Sequence, residues 1–344
     1  MTDVPGQQDA SPKPALALGV AYRLELGLGR LASRVARRWG WTPAVLPYPG
    51  YGGGGRLRVL GRVLLAPATS NPSGRSDVAG WRRFFTLEQP SQAVDIEVAG
   101  AHHHARSGEA GLLDTIVEAS PAPGPVPVRL HVPGRDAVTA MVHVAPAGHS
   151  LGVVCDIDDT VWITGLNTPL RAAWRTLAHA TSRRHPVPGM AVLLQGLLAS
   201  QRQAPVVYLS TGAWNLAGPI GAFMERHGFP PGALLLTDWG LSPRGWFRDG
   251  SAHKRTCLER LTADLPDVRW VLIGDDGQHD PVIYRDFATA HPGRVAAIAL
   301  RQVDPDAGPP SDAVEQVAGV PVFWGADGAQ MLPRLRSVLP VQSP

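Results

Sequence analysis

Three aspartates follow directly on an apolar run in the middle of the chain. The run 151–155 leads into Asp156, Asp158 and Asp159, with Thr160 next. Carboxylates this close repel one another, and burial adds a desolvation cost unless a cation or a proton neutralises them. Ligands of open parallel sheets bind at the carboxyl ends of the strands. The D-x-D-x-T pattern therefore predicts a divalent metal, an aspartate nucleophile and a second aspartate that moves protons. An acidic turn after a strand is the simpler alternative.

Further polar groups follow apolar runs or begin helices later in the chain: Ser210 with Thr211, Lys254, and Asp275 with Asp280. A hydroxyl beside backbone N–H groups suits a phosphate oxygen, a lysine can neutralise a phosphoryl group, and carboxylates can ligate a metal. Taken singly, each has an ordinary explanation as a helix cap, a solvated charge or a polar turn. Together, at one edge of a sheet, they predict phosphate chemistry.

The order and spacing of these residues resemble the haloacid-dehalogenase phosphatase superfamily. The match narrows to the actin-patch-protein type of phosphatidate phosphatase catalytic domain, to which four segments are similar: Asp-Ile-Asp-Asp-Thr at 156–160, Ser-Thr-Gly-Ala-Trp-Asn at 210–215, His253-Lys254, and Gly-Asp-Asp-Gly-Gln-His-Asp-Pro at 274–281. The resemblance covers roughly residues 150–305 and extends more weakly into the segment from Gly50. It departs at Thr211-Gly212-Ala213, where a more polar pattern is expected, and this bears on substrate detail rather than on the chemistry.

The resemblance implies a role for each catalytic residue. Asp156 would attack phosphorus and form an aspartyl-phosphate, and Asp158 would protonate the leaving oxygen and then deprotonate water. Thr160 would hold the geometry of the turn. Ser210 and Thr211 would bind the phosphate, and Lys254 would offset charge as a catalytic and phosphate-binding residue.

The resemblance also implies a Mg²⁺ cofactor, because Mg²⁺ prefers octahedral oxygen ligands. Its expected ligands are Asp156, the backbone carbonyl of Asp158, Asp275 and Asp280. Asp280 fits the family spacing better than Asp276. Metal and lysine together would offset the charge of the clustered carboxylates and the phosphate.

The elements around these residues predict an α/β catalytic domain over 149–340. Apolar runs alternate with helical stretches, which favours a Rossmann-like parallel sheet of the haloacid-dehalogenase type with helices on both faces. The strands are predicted at 151–157, 204–210, 233–236, 268–273, 295–300 and 322–324. The helices are predicted at 189–203, 216–227, 253–264, 281–290 and 330–338.

A β-rich accessory domain is predicted over 50–148. Alternating runs at 56–65, 93–100, 125–132 and 137–144 suggest a small antiparallel β-sandwich, preceded by a Pro- and Gly-rich linker or loop at 43–55. His102, His103 and His104 are expected to lie in a solvated turn. Three consecutive strand residues alternate between faces, so they do not converge on one metal ion.

The N-terminal part is predicted to be a disordered tail over 1–14 and a basic amphipathic helix over 15–42. The apolar face of this helix carries Leu24, Leu28, Leu31, Val35 and Trp39, with four arginines beside it. Such a helix either docks on the domain with its arginines in water or lies on an anionic membrane surface.

Composition narrows the class of protein. The chain has 344 residues, 44% hydrophobic and 18% charged, with a formal net charge of +3. This is typical of a soluble two-domain protein, and no apolar stretch reaches the length of a transmembrane segment. Two cysteines and no secretion signal favour a reducing, cytoplasmic location, with peripheral association at the inner membrane face. The net charge is too small to indicate a nucleic-acid partner.

The access route suggests the substrate class. The insert between Thr160 and Gly189 is too short for a large cap domain, and an open site favours a bulky substrate such as an anionic phospholipid at a membrane surface. The basic residues of the insert would suit such a lipid or form a solvated helix face: Arg171, Arg175, Arg183, Arg184 and His185. Trp162, Trp174 and Trp214 would either reach the interface or fill the core, and we expect at least two in the core.

The leading hypothesis is therefore a Mg²⁺-dependent phosphatidate phosphatase that yields diacylglycerol and phosphate. Two alternatives stay open. One is a phosphatase of the same type for a soluble metabolite or a nucleic-acid end. The other is a non-catalytic lipid-binding module, which the complete set of motif residues disfavours.

Overall fold

The computed structural model describes residues 29, 31–68, 87–108, 110–148, 150–163, 184–200, 203–237, 250–303 and 314–339. The predicted tail 1–14, the predicted helix up to residue 28, and the insert residues 164–183, with Arg171, Arg175, Arg183 and Trp174, lie outside these ranges. A helix, α1, covers 31–38, and Leu31, Val35 and Trp39 of its predicted apolar face are exposed. The predicted helix boundary at residue 42 is wrong, because a strand begins at Trp41.

The first part of the chain forms one eight-stranded sheet, ordered β3-β2-β1-β8-β7-β4-β5 with β6 also paired to β2. Its strands are β1 (Trp41–Gly53), β2 (Arg56–Pro67), β3 (Leu87–Glu88), β4 (Ala93–Val98), β5 (Ala101–Arg106), β6 (Leu112–Glu118), β7 (Gly124–His131) and β8 (Val138–Val144). Most of its buried apolar residues form a separate core, whereas Tyr48, Tyr51 and Leu60 pack in the core of the second part of the chain. The four predicted strands are present. The sheet is not purely antiparallel, because β1 pairs with β8 in parallel.

The predicted linker at 43–55 is wrong, since most of it belongs to β1. The prolines of this segment are tolerated because residues 41–48 pair with β2 alone, so the other edge of the backbone needs no N–H donors. Gly52 is required by a close approach, since a Cβ there would meet the Leu57 Cα at 2.9 Å. Proline and glycine in this segment therefore reflect an unpaired edge of the strand and a close contact between two strands, rather than a loop.

The histidine run was also misplaced in the prediction. His102, His103 and His104 lie in β5, at the edge of the sheet, and their exposure alternates along the strand. His104 pairs with Asp95 of β4 through a contact of 2.7 Å between Nδ1 and Oδ1. The alternation confirms that the three rings do not converge on one ion.

The second part of the chain forms a seven-stranded sheet, ordered β11-β10-β9-β12-β13-β15-β14. Its strands are β9 (Ser150–Asp156), β10 (Val206–Ala213), β11 (Ala233–Thr237), β12 (Val268–Asp275), β13 (Val295–Arg301), β14 (Glu315–Val317) and β15 (Val320–Gly325). All neighbours pair in parallel except β14 with β15. All seven residues of β9 are buried, as expected of a central parallel strand.

Within the described part of the chain, five α-helices follow strands of this sheet: α2 (Met190–Ser200), α3 (Ala217–Arg226), α4 (Gly250–Asp264), α5 (Asp280–Ala290) and α6 (Gly328–Val338). Helix α2 follows β9 and α4 follows β11, and the chain connections that contain these two helices run in opposite directions across the sheet. Helix α2 contacts α6, and α4 contacts α5. The molecule is thus a mixed α/β protein. The strand order changes direction at β9, and open parallel sheets bind ligands at such a point.

The two sheets meet at an interface that touches the elements of the second sheet carrying the predicted site. Tyr48 stacks on Trp214 with ring centroids 4.9 Å apart. Arg62 is 4% exposed, donates to Asn215 Oδ1 and pairs with Glu88. Tyr51 donates to Asp264 Oδ2 at 2.8 Å. Trp214 and Asn215 follow β10 and Asp264 ends α4, so the β-rich sheet holds both elements.

Candidate functional site

The predicted site residues meet at the carboxyl ends of the three central parallel strands. Asp156 is the last residue of β9, Asp275 is the last residue of β12, and Ser210 lies near the end of β10. Leu209 is paired with Asp156, and Ile273 with Cys155, so the three polar side chains fall at nearly the same level. The strand registers therefore bring together residues far apart in the sequence.

Lys254 lies between two buried carboxylates. Its Nζ is 2.6 Å from Asp156 Oδ1 and also donates to Asp280 Oδ1. Lys254 is 3% exposed. Burial lowers the pKa of Lys254, but the two carboxylates outweigh burial, and the net pKa lies above that of an ordinary lysine. The ammonium therefore stays charged and neutralises part of the cluster.

Two glycines allow the helices that carry Lys254 and Asp280 to pack closely against the strand ends. At Gly250, a Cβ would lie 2.7 Å from Thr211 Cγ2, so the glycine lets the first turn of α4 pack against the end of β10. At Gly274, a Cβ would lie 2.9 Å from the Cβ of Asp280 and 2.8 Å from Tyr284 Cε2. A side chain at either position would push Lys254 or Asp280 away from the strand ends.

Asp156, Asp275 and Asp280 form a buried triad that could bind a metal. One oxygen of each lies within 4.8 Å of those of the other two. The Oδ2 atoms of all three are buried and have no hydrogen-bond partner within the described ranges. Three carboxylates and the single Lys254 ammonium, −3 and +1, leave a formal charge of −2. Unpaired buried oxygen donors with excess negative charge fit a divalent cation.

In the absence of a metal, burial favours the protonated forms of two members of the triad, Asp156 and Asp275. Burial raises the pKa of Asp156 well above its usual range, against the opposing effect of Lys254. Burial, together with the charge of Asp280, raises the pKa of Asp275 to about 7, although Lys254 and the Gly277 N–H act in the opposite direction. A bound cation would take the place of such a proton.

Asp158 faces a different set of groups. Its Oδ2 accepts a hydrogen bond from Ser210 Oγ at 3.0 Å, and its Oδ1 accepts one from Trp162 Nε1 at 3.1 Å. Ser210 Oγ also accepts from the Gly212 N–H at 2.9 Å. Asp156 and Asp158 are two residues apart, yet Asp156 faces the lysine and the metal triad while Asp158 faces the hydroxyl. This separation suits different chemical roles.

The turn after β9 is held mainly by its backbone. Asp159 has a left-handed φ of 55°, and its carbonyl accepts a hydrogen bond from Arg301 Nη1 at 2.5 Å. The N–H groups of Val161 and Trp162 donate to the Ile157 carbonyl. The Thr160 hydroxyl is buried and has no hydrogen-bond partner among the described residues. Thr160 contributes to this turn through its backbone N–H, which donates to the Ile157 carbonyl.

The remaining predicted residues are placed as follows. The Thr211 carbonyl accepts from Thr237 Oγ1 at 2.8 Å. Asp276 is separate from the triad, and its Oδ1 accepts from the Val303 N–H at 2.7 Å. Trp162 and Trp214 are both buried, as predicted for at least two of the three tryptophans.

The sequence analysis did not place Trp162 or Arg184 beside Asp158. The Arg184 guanidinium carbon lies 4.0 Å from the centre of the Trp162 ring, and its Nη1 lies 3.9 Å from Asp158 Oδ1. Arg184 was grouped only with the basic residues of the insert. An isolated bridge between Trp162 and Pro186 brings the two segments together, and no local pattern reveals that pairing.

Residues 151–302 match the family described as the catalytic domain of phosphatidate phosphatase APP1. The match begins one residue into β9 and ends just after β13, so it contains every residue of the site described above. The APP1-type match thus agrees with the resemblance inferred from the four motifs.

Two curated relatives match a similar length of chain. An uncharacterized protein of Schizosaccharomyces pombe is 26% identical over 159 residues, which is 46% of this chain and 26% of the relative. Phosphatidate phosphatase APP1 of Saccharomyces cerevisiae is 25% identical over 160 residues, which is 46% of this chain and 27% of the relative. The chain thus aligns with about a quarter of the length of each relative.

Among solved structures, a chain of a Pnkp1/Rnl/Hen1 complex is similar over 41% of this chain and 43% of that chain, with 20% identity and a TM-score of 0.31. No argument rests on so low a score. Within the described ranges, no helix combines the length and the apolar character needed to cross a bilayer.

Proposed function

We propose that the protein is a Mg²⁺-dependent phosphatase that hydrolyses phosphatidate to diacylglycerol and phosphate at a membrane surface. The observation that carries this proposal is the convergence of Asp156, Asp158, Ser210, Lys254 and the metal-type triad at one sheet edge, inside the segment that matches the APP1 catalytic domain. The four motifs also resemble those of the haloacid-dehalogenase phosphatases.

The proposed reaction has two displacements on phosphorus. An oxygen of Asp156 forms a bond to phosphorus while the bond to the leaving oxygen breaks, and Asp158 gives its proton to that oxygen. Water then attacks the aspartyl-phosphate, Asp158 takes a proton from the water, and phosphate leaves with Asp156 restored. Ser210 and the backbone beside it bind phosphoryl oxygens, and Lys254 orients Asp156.

Asp156, Asp275 and Asp280 would hold Mg²⁺, together with the backbone carbonyl of Asp158. When bound, the ion offsets the negative charge of the carboxylates and of the phosphoryl group. The fit rests on the three unpaired Oδ2 atoms and on the preference of Mg²⁺ for oxygen donors. Lys254 alone offsets only one of the three charges.

Metal binding is expected to depend on pH because Asp275 must lose its proton. In the folded, metal-free protein its pKa is about 7, whereas an unfolded aspartate titrates near ~3.9. The folded state therefore holds more protons between these values, and the stability of the metal-free protein falls as pH rises from about 4 to about 7. Mg²⁺ binds the deprotonated form and should restore this loss above pH 7.

Thermal unfolding at pH 5.5 and pH 8, with and without Mg²⁺, measures this effect. At pH 5.5 proton competition should weaken Mg²⁺ binding by about 30-fold, so the increase in Tm should be large at pH 8 and small at pH 5.5. Asp275→Asn should remove the Mg²⁺ effect at both values. Equal Tm shifts at both pH values would contradict the assignment.

A substrate panel tests the proposed activity. Phosphate release would be measured with Mg²⁺ on phosphatidate, lysophosphatidate and diacylglycerol pyrophosphate in vesicles, and on soluble phosphomonoesters. We expect phosphatidate to give the highest kcat/KM. A preference for soluble esters would instead support the metabolite or nucleic-acid-end alternative, and vesicle binding without phosphate release from any substrate would support the lipid-binding alternative.

The family match favours the lipid substrate, since the yeast relative bears the name phosphatidate phosphatase. Peripheral association with the cytoplasmic face of a membrane is part of the proposal, and so is the role of residues 15–42 in that association. The division into a β-rich accessory domain over 50–148 and a catalytic domain over 149–340 is also part of the proposal.

A further inference from the structure

Arg184 is held next to the proposed acid and base by a short backbone pairing. Ile163 N donates to His185 O at 3.0 Å, and Val187 N donates to Val161 O at 3.0 Å. This pairing fixes the segment around Arg184 against the turn that follows β9. The guanidinium stacks over Trp162, a favourable position for a cation.

The guanidinium has a donor without an acceptor. The Arg184 side chain is 6% exposed, and its Nη1 is buried with no hydrogen-bond partner among the residues that the structure describes. Asp158 Oδ1 lies 3.9 Å from this Nη1, a distance too long for a hydrogen bond. A buried donor that lacks an acceptor is costly, and such a group is normally completed by water or by a ligand.

Asp158 does not need Arg184 to hold it. Its two oxygens already accept hydrogen bonds from Trp162 and Ser210. An oxygen atom at about 2.8 Å from both Arg184 Nη1 and Asp158 Oδ1 would complete a triangle with their 3.9 Å separation. An oxygen that receives a proton from Asp158 would occupy such a position.

We propose that Arg184 binds the phosphoryl group of the substrate on the side of the leaving oxygen. This inference rests on the proposed function, because it takes Asp158 as the acid. Lys254 contacts Asp156 and Asp280, whereas Arg184 lies beside Asp158, so the two cations would contact different oxygens. A planar guanidinium with several N–H donors suits a phosphoryl group better than an ammonium does.

The chemistry recognised is a phosphoryl group, whether carried by a lipid or free in solution. Binding of inorganic phosphate, measured by calorimetry with Mg²⁺ present, tests it without turnover. Steady-state kinetics on phosphatidate vesicles test the esterified form. The variants are Arg184→Gln and Arg184→Lys, and the matched control is Arg129→Gln, which removes an exposed arginine from the β-rich sheet.

Arg184→Gln should raise the Kd for inorganic phosphate and the KM for phosphatidate by about 10- to 100-fold, and Arg184→Lys should give an intermediate value. Arg129→Gln should change neither. If Arg184 only supports the turn through Trp162, its variants will lower Tm and leave the Kd for phosphate within twofold of the wild type, and this result overturns the inference.

The two hypotheses fail separately. A wild-type protein that binds phosphate through Arg184 but releases none from any ester would reject the proposed function and keep the anion site. An active wild type whose Arg184→Gln variant binds phosphate normally would reject the anion site and keep the proposed function. If Arg184→Gln does not fold, the same Kd comparison is made with Arg184→Lys.

Discussion

Asp156→Asn is expected to lower phosphate release by at least about 10³-fold and leave the protein folded. The amide has nearly the shape of the carboxylate and can still accept a hydrogen bond from Lys254, so the geometry of the site is retained. It is a poor nucleophile, and no aspartyl-phosphate would accumulate. Stability without metal should be equal or higher, because one member of a buried, mutually repelling triad loses its charge.

Acid quenching during turnover of labelled substrate measures the intermediate directly. The wild type should retain label on Asp156, and the variant should retain none. Asp286→Asn, which neutralises an exposed aspartate of α5, is the matched control and should have wild-type activity. Activity of Asp156→Asn within tenfold of the wild type would show that another group attacks phosphorus.

Lys254→Met is expected to destabilise the protein by about 3–5 kcal/mol and to lower activity by at least about 10²-fold. The substitution leaves Asp156 and Asp280 buried without their shared cation. Lys254 is one of two lysines in a chain with 32 basic residues, the rest being arginine. A compact ammonium fits between two carboxylates where a planar guanidinium does not, so Lys254→Arg should also lose activity.

A second substitution separates the structural effect from the catalytic one. Asp280→Asn in the Lys254→Met protein removes one unpaired carboxylate and should recover part of the stability without restoring activity. Urea denaturation and phosphate release measure the two effects. Arg255→Met, which alters an exposed neighbour on the same helix, should change neither. If Lys254→Met has the wild-type unfolding midpoint, the ion pairs contribute little to the fold.

The parallel sheet was largely predictable. Its strands are continuous apolar runs and end in polar residues, so periodicity locates both the strand and the position where its ligand-binding residues lie. Asp156, Ser210 and Asp275 all fell at the predicted edge. The short strand β14 was missed, since Glu315–Val317 has neither the length nor the apolar character of the others.

The β-rich sheet was less predictable because its signals are weaker. The segment predicted as a linker forms β1 instead. Pro and Gly interrupt a strand only where its backbone must pair on both edges and where its side chains have space to pack. The histidine run at 102–104 became an edge strand whose exposed face is polar. In both cases pairing with neighbouring strands, rather than the local conformational preference of the residues, determined the secondary structure.

The sequence by itself determined which chemical groups the site contains and that they lie at the ends of parallel strands, because residue type and hydrophobic periodicity are local properties. Only the tertiary structure decided the pairing: Lys254 between Asp156 and Asp280, Ser210 and Trp162 on Asp158, and Arg184 beside them. These contacts depend on strand register, on helix packing at Gly250 and Gly274, and on the backbone bridge between Trp162 and Pro186. Each is a long-range relation that no single stretch of sequence encodes.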